Sequence, residues 1–372
     1  MSQLESSLSI FTFCMLIAAG GCGEGLPPYE KVAEHRILSA PVRVTGPYES
    51  PPVREGFTRA EAFPGETVQV RPFAVSQEGI VDPGDLDLRW IACELFAGRG
   101  ALGCLSQAFP TQLDRLPECD FQTLEVAVET GPRMLASPCV LPPGAVAEFA
   151  VPVSNGVLSG ADIELTAVGS TPGGTPSEDC AADFLAGKGN VPDDCLYAVQ
   201  VVDLVGSARL FEWAGSVGLE TDGVAPVDPT AADETDLHPH ISSFRVGVQL
   251  ESGADPDLVD IPLGGEFIVR AGQTIRIEVA SPEDELQDFS VAVNDGTQAE
   301  AAREAYAGQW FITWGSLLSA DSQDPASFNE WTLQAVDDDA QEPAGGVAYL
   351  YYVVRDGRNG ASHWWFSLRF DA

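Results

Sequence analysis

The sequence predicts an all-β chain of two tandem β-sandwich units. Three observations carry that expectation. Short runs in which apolar and polar residues alternate recur along the 372 residues, as half-buried strands require. The 37 glycines and 27 prolines supply turn signals around those runs. Six of the eight cysteines lie between Cys93 and Cys195 and none follows, so the two halves are built differently.

The chain opens with Met1 to Ser9, which holds no Lys or Arg, and an apolar run from Ile10 to Ala19. That run is short of the ~20 residues a bilayer crossing takes. It has the length of an export signal's apolar core. Ala19, Gly20 and Gly21 then lead to Cys22. The pattern resembles a bacterial lipoprotein signal, in which the cysteine after the small residues is acylated and becomes the N-terminus. The resemblance implies a signal peptide over 1–21, lipidation at Cys22 and a lipidated tether over 22–34. Membrane contact is then expected through the N-terminal lipid anchor. Gly23, where Asp would signal inner-membrane retention, implies an outer-membrane lipoprotein on the periplasmic face or the cell surface.

An exported chain meets an oxidising compartment, and an even set of cysteines there reads as disulfides. Cys93, Cys104, Cys119, Cys139, Cys180 and Cys195 are the expected bridge formers. Pairing of sequence neighbours is expected because each bridge then closes a short surface loop, although six cysteines leave other pairings open. No Cys-x-x-Cys occurs among them, which argues against a zinc ribbon.

The first unit is expected over 35–213. Arg36 to Leu38 and Val42 to Val44 read as one strand bent at Pro41. Thr67 to Val70 alternates with Val68 and Val70 inward. Leu86, Leu88 and Trp90 alternate with Asp85, Asp87 and Arg89, ending at Cys93. Leu124 to Val128 reads as a short strand. Ala147 to Val153 is expected to pair with Ile163 to Val168. A Gly- and Pro-rich insertion follows to Asp194, with one helical turn near Asp179 to Leu185, and Leu196 to Leu204 reads as the closing strand.

Residues 214–237 are acidic, with Pro226 and Pro229 and no long apolar run, and are expected to be a linker. The second unit, 238–372, carries five of the seven tryptophans. Its strands are read within His240 to Val246, Ala271 to Val279 and Trp310 to Trp314. Its end is the clearest structure in the chain. Tyr349 to Arg355 and His363 to Phe370 form a hairpin around Asp356-Gly357-Arg358-Asn359-Gly360, whose Asp-Gly and Asn-Gly pairs tolerate the positive φ a tight turn needs. Trp364, Phe366, Leu368 and Phe370 share its inward face.

Gly65-Glu66-Thr67-Val68-Gln69-Val70 is echoed by Gly272-Gln273-Thr274-Ile275-Arg276-Ile277. With the closing run Tyr352-Val353-Val354-Arg355-Asp356-Gly357, this resembles bacterial immunoglobulin-like and PKD-like modules, and the layout as a whole resembles predicted bacterial lipoproteins. The resemblance implies two immunoglobulin-like sandwiches of a structural or adhesive surface protein.

The net charge of −37 excludes binding of nucleic acid by phosphate neutralisation. There is no Gly-x-Ser-x-Gly elbow and no His-Glu-x-x-His helix, so no catalytic residue is assigned. His238 and His240 flank a proline and are read as a hinge entering a strand rather than as metal ligands. The acidic runs Asp82/Asp85/Asp87, Asp255/Asp257/Asp260 and Asp337-Asp338-Asp339 match no calcium loop and are read as solvated turns. No cofactor or metal site is therefore assigned, calcium being the one ion left open. Trp365 falls on the face opposite the core, beside Tyr349 and Tyr351, and these three form the candidate binding patch. The expected function is a non-enzymatic envelope module that binds or scaffolds a protein or polysaccharide. The alternative is a calcium-dependent carbohydrate-binding or adhesion protein.

Overall fold

The computed structural model describes residues 30–46, 57–95, 104, 113–135, 137–185, 192–205, 207–219, 235–250, 254–281, 286–293, 298–322, 326–334 and 343–371. The signal, Cys22 and the Asp337-Asp338-Asp339 run lie outside them. The described chain is all-β, with several sheets and short helices. None of these helices is long and apolar enough to cross a membrane.

The first ten strands are β1 (Arg36–Ser39), β2 (Val42–Thr45), β3 (Thr67–Val70), β4 (Phe73–Ser76), β5 (Gly79–Val81), β6 (Asp87–Leu95), β7 (Cys139–Val140), β8 (Ala147–Ala150), β9 (Asp162–Ser170) and β10 (Cys195–Val202). They form sheets of order β2-β3-β8, β10-β9-β6-β7 and β1-β4-β5. The first two face each other. Val42, Val68, Val70 and Phe149 pack against Leu88, Trp90, Ile163 and Leu165. Trp90 is fully buried, and its indole N–H donates to the Gly144 carbonyl at 3.1 Å. A side chain of this kind stabilises by roughly 1.5–3 kcal/mol on burial.

Helices α1 (Leu124–Thr130), α2 (Asn155–Leu158), α3 (Ser177–Leu185) and α4 (Ser207–Val217) decorate this unit. A satellite core of Phe63, Leu158, Leu210 and Trp213 lies under α2 and α4. The bridges join Cys93 to Cys104, Cys119 to Cys139 and Cys180 to Cys195, each a pair of sequence neighbours.

Three expectations for this half are corrected. Leu124 to Val128 is helical, not a strand. Ala127 is the helix's buried residue while Val126 and Val128 are exposed, and Gly131, at φ 79°, ends the helix. Leu124, Val126 and Val128 fall at every second position and so mimicked a strand within a seven-residue helix. Ala147 to Val153 does not pair with Ile163 to Val168. β8 pairs with β3, while β9 lies between β6 and β10 in the opposite sheet, where burial of nearly every residue suits a central strand. The expected bent strand at Pro41 is two strands, β1 and β2, in different sheets. A proline cannot donate to a ladder, so the chain changes sheets there.

The second unit holds β11 (Ser243–Val248), β12 (Val259–Asp260), β13 (Gly265–Val269), β14 (Thr274–Ala280), β15 (Asp288–Val293), β16 (Gln298–Arg303), β17 (Ala307–Ile312), β18 (Ser316–Leu317), β19 (Asp321–Ser322), β20 (Ala326–Thr332), β21 (Val347–Arg355) and β22 (Ala361–Phe370). Two five-stranded sheets, β12-β11-β14-β20-β18 and β13-β22-β21-β17-β19, enclose Phe244, Ile275, Ile277, Trp310, Trp331, Tyr352, Phe366 and Leu368. The parallel pairing of β13 with β22 closes one edge. The sequence echo is also conformational. Gly65 and Gly272 both take left-handed φ, 84° and 82°, one turn ahead of β3 and β14.

The candidate binding patch is not an exposed surface. Tyr351 is fully buried, and Tyr349 and Trp365 are half-buried and pack onto the same cluster. The cover is β1 and β4. Leu38, Phe73 and Val75 lie against Phe311, Tyr351 and Val353, and the Tyr351 hydroxyl donates to the Ser76 carbonyl at 3.0 Å. The outer face of the C-terminal sheet is aromatic because a second layer sits on it. Residues 30–32 also join this sheet, with Val32 donating to Ile312 and Ile312 to Glu30.

Candidate functional site

The turn between β21 and β22 reaches away from its own unit into the first. Its shape is local chemistry. Asp356 Oδ1 accepts from the backbone N–H of Arg358 at 2.7 Å and of Gly360 at 3.1 Å. Gly357 and Asn359 take φ of 85° and 75°. A Cβ on Gly360 would lie 1.9 Å from Asp356 Oδ2, so glycine is required there. The turn thus aims Asp356, Arg358 and Asn359 at the first unit. Asn359 Nδ2 donates to Asp203 Oδ1 at 2.7 Å, and Gln200 donates to the Asn359 carbonyl.

The chain entering the second unit delivers the next carboxylate. Ala60 donates to the Asp236 carbonyl and His238 to the Thr58 carbonyl, so residues 236–238 run as a short extension of the first unit. Gln287 grips the same segment from the other side. It donates to the Thr235 carbonyl and accepts from the Leu237 N–H, while its own N–H donates to Glu304 Oε2 at 2.9 Å. Asp236, Glu304 and Asp356 therefore meet, each buried, with ligand oxygens within 4.8 Å of one another.

Arg358 threads this group. Its guanidinium lies 3.3 Å from Glu304, 3.8 Å from Asp236 and 4.0 Å from Glu61. Arg209 pairs with Glu61 from α4. Five carboxylates, of Glu61, Asp203, Asp236, Glu304 and Asp356, thus lie in the field of Arg358, and Asp162 adds its charge beside Asp203. The imbalance appears in their protonation. Burial, then the charge of Asp356, pushes Asp236 up to about 10. Burial raises Asp356 to about 7 and Asp162 to about 6. Asp203 is held well above its ordinary value by burial and by Asp162, and Glu61 is raised by burial. Burial alone would lower Arg358, but Asp236, Glu61 and Glu304 hold it above the usual guanidinium value.

Both carboxylate oxygens of Asp236, and Oδ2 of Asp356, have no hydrogen-bond partner. A buried carboxylate without donors is costly, so the group requires protons or a cation.

The residues singled out in the sequence lie elsewhere. Asp82, Asp85 and Asp87 are exposed, and Asp82 caps the turn by accepting from Gly84 N–H. Asp255, Asp257 and Asp260 are exposed along β12 and the approach to it. Among the described residues neither trio converges on a point. His238 is fully committed, with Nδ1 accepting from Ala361 N–H and Nε2 against the Val42 carbonyl. It does line one shallow groove with Phe57, His240, His363 and Trp364. Cys93 and Cys104 lie beside Glu164, but as a disulfide they are not metal ligands.

No family model matches the chain, and no curated protein matches it. Among solved structures it is similar to dimeric latent PorU from Porphyromonas gingivalis, at 11% identity and a TM-score of 0.19. The match covers 92% of this chain, which spans 24% of that protein's length.

Proposed function

We propose that this chain is a non-enzymatic, lipid-anchored envelope protein that scaffolds or binds a partner through two immunoglobulin-like sandwiches held as one body. The observation that carries the reading is the buried contact between the units. Phe73, Val75 and Leu38 cover Tyr351 and Val353, and the turn Asp356–Gly360 docks beside Asp203. Such a contact fixes the spacing of outward surfaces, which a scaffold needs and an isolated binding domain does not. Three disulfides support an oxidising compartment. The convergent carboxylates are sealed from solvent, which suits a structural role better than turnover of a substrate.

The test has two arms. Palmitate labelling of the full chain in a bacterial host should mark the protein, and Cys22→Ala should abolish the label and release it from membranes. A photo-crosslinker placed at exposed Ile268 or Leu318 should trap a defined envelope component, while chromogenic ester, glycoside and phosphate substrates stay intact. Turnover that disappears in Asp356→Asn would overturn the reading in favour of an enzyme.

A second reading rests on the groove of Phe57, His240, His363 and Trp364, where aromatic faces and imidazoles line one surface. Such a lining suits a sugar ring. Quenching of tryptophan fluorescence by an oligosaccharide, lost in Trp364→Ala, supports it; an unchanged spectrum across a glycan panel removes it.

A further inference from the structure

We propose that Asp236, Glu304 and Asp356 hold a calcium ion at the contact between the two units, so that the ion fastens one to the other. The inference does not depend on the scaffold reading, and it concerns none of the three aspartate runs weighed as calcium loops in the sequence.

Three observations combine. The first is convergence. Asp236 lies on the segment entering the second unit, Glu304 just after β16, and Asp356 in the terminal turn, yet their oxygens fall within 4.8 Å of one another. The second is that Asp236, 1% exposed, has no hydrogen-bond donor on either carboxylate oxygen, and Asp356, also 1% exposed, has none on Oδ2. These oxygens are desolvated, and Asp236 Oδ1 has the Arg358 guanidinium at 3.8 Å in place of a hydrogen-bond donor. Native structures leave few buried polar atoms in that state, and an unplaced ion is one of its ordinary causes. The third is charge. Arg358 is spread over Glu304, Asp236 and Glu61 at 3.3 to 4.0 Å, with Arg209 also on Glu61, so the three convergent carboxylates outnumber the guanidinium that reaches them.

The donor set selects the ion. All three ligands are carboxylates, and the nearby His238 has both ring nitrogens engaged, so the site lacks the nitrogen and sulfur that favour zinc. Three carboxylates provide as many as six oxygens in flexible mono- or bidentate arrangements. That suits calcium, whereas magnesium demands a stricter octahedron and keeps its water.

The experiment is calorimetric titration of calcium chloride into the full oxidised chain after removal of metal with EDTA, at pH 8, with magnesium chloride in parallel. The expected result is one saturable calcium site, at least tenfold weaker for magnesium, and a melting temperature several degrees higher with calcium than with chelator. Asp236→Asn and Glu304→Gln should each weaken calcium at least tenfold. Asp85→Asn and Asp255→Asn, on the exposed runs, should bind as the parent does. Circular dichroism of each variant establishes folding, and if Asp236→Asn does not fold, Glu304→Gln carries the comparison. Absence of saturable binding at millimolar calcium, with an unchanged melting temperature, overturns the proposal and leaves protons as the neutralising species. Full binding in a folded Asp236→Asn or Glu304→Gln overturns it equally.

Discussion

Asn359 donates from Nδ2 to Oδ1 of Asp203 at 2.7 Å, a bond between residues 156 positions apart. Asn359 also sits at φ 75°, a conformation that costs most side chains about 1–2 kcal/mol. One residue thus serves both the turn and the contact between units. Asn359→Ala should lose the bond and strain the backbone, lowering stability by about 2 kcal/mol in urea unfolding. Asn359→Gly keeps the backbone and should cost about half as much. Equal losses would mean that the left-handed conformation contributes nothing.

Arg358 is the cation at the centre of the buried carboxylates. Arg358→Met removes it while keeping much of its apolar stem, leaving Glu61, Asp236 and Glu304 without their shared partner. Losing one member of a buried ion pair costs about 3–5 kcal/mol. The variant should show that loss in denaturant unfolding in the presence of chelator, with Arg358→Lys recovering part of it. A variant within about 1 kcal/mol of the parent would show that the guanidinium carries little of the balance.

His363 stacks on Phe73, with ring centroids 3.9 Å apart and planes 13° apart. Burial lowers its pKa to about 4. Below pH 6.5 the unfolded chain takes up this proton before the folded one does. Stability from the neutral ring is therefore present above pH 6.5 and lost as pH falls toward 4, by roughly 2 kcal/mol. His363→Phe keeps a stacked ring and removes the titration. The difference between parent and variant melting temperatures should be constant above pH 7 and widen against the parent between pH 6 and 4. A difference that stays flat across that range would contradict the assignment.

The bridge between Cys180 and Cys195, 15 residues apart, pins α3 against β9, where Cys180 and Ala181 pack on Val168. A loop of that length predicts about 3 kcal/mol of stabilisation from the crosslink. Cys180→Ser with Cys195→Ser should lose it in urea unfolding of the otherwise intact chain. A loss below about 1 kcal/mol would show that the packing of α3 on β9, and not the crosslink, carries the stability of this corner.

The sandwich strands were legible where the period of two was long and one-sided. β6, β14 and β22 show it plainly. It misled at Leu124 to Val128, because Leu124, Val126 and Val128 at every second position of a seven-residue helix look like a strand. Pairing was harder than strand identity, as β8 and β9 show, because it depends on which sheet a crossover reaches. The carboxylate group was hidden for a different reason. Asp236, Glu304 and Asp356 share no spacing, and only tertiary contact brings them together. The one available signal was the turn Asp356-Gly357-Arg358-Asn359-Gly360. Its glycines and asparagine announce the bend, but an acid and a base in a hairpin tip are ordinarily solvated, so the buried contact they make was not legible. Tyr349, Tyr351 and Trp365 were read as a binding patch because alternation along a strand does not distinguish an exposed face from one covered by a second layer, which β1 and β4 supply.

That layer binds the two ends of the polypeptide's timetable together. Phe73 and Leu38 leave the ribosome, and cross the membrane in an exported chain, long before His363 and Tyr351. The early sheet must wait with its apolar face open until the last hairpin arrives. A prematurely terminated product lacks that cover and the partner strand of β13 alike, so it presents the exposed surface and free edge that proteases and chaperones recognise. A shortened chain therefore keeps an apolar face and a strand edge that only the hairpin of β21 and β22 covers.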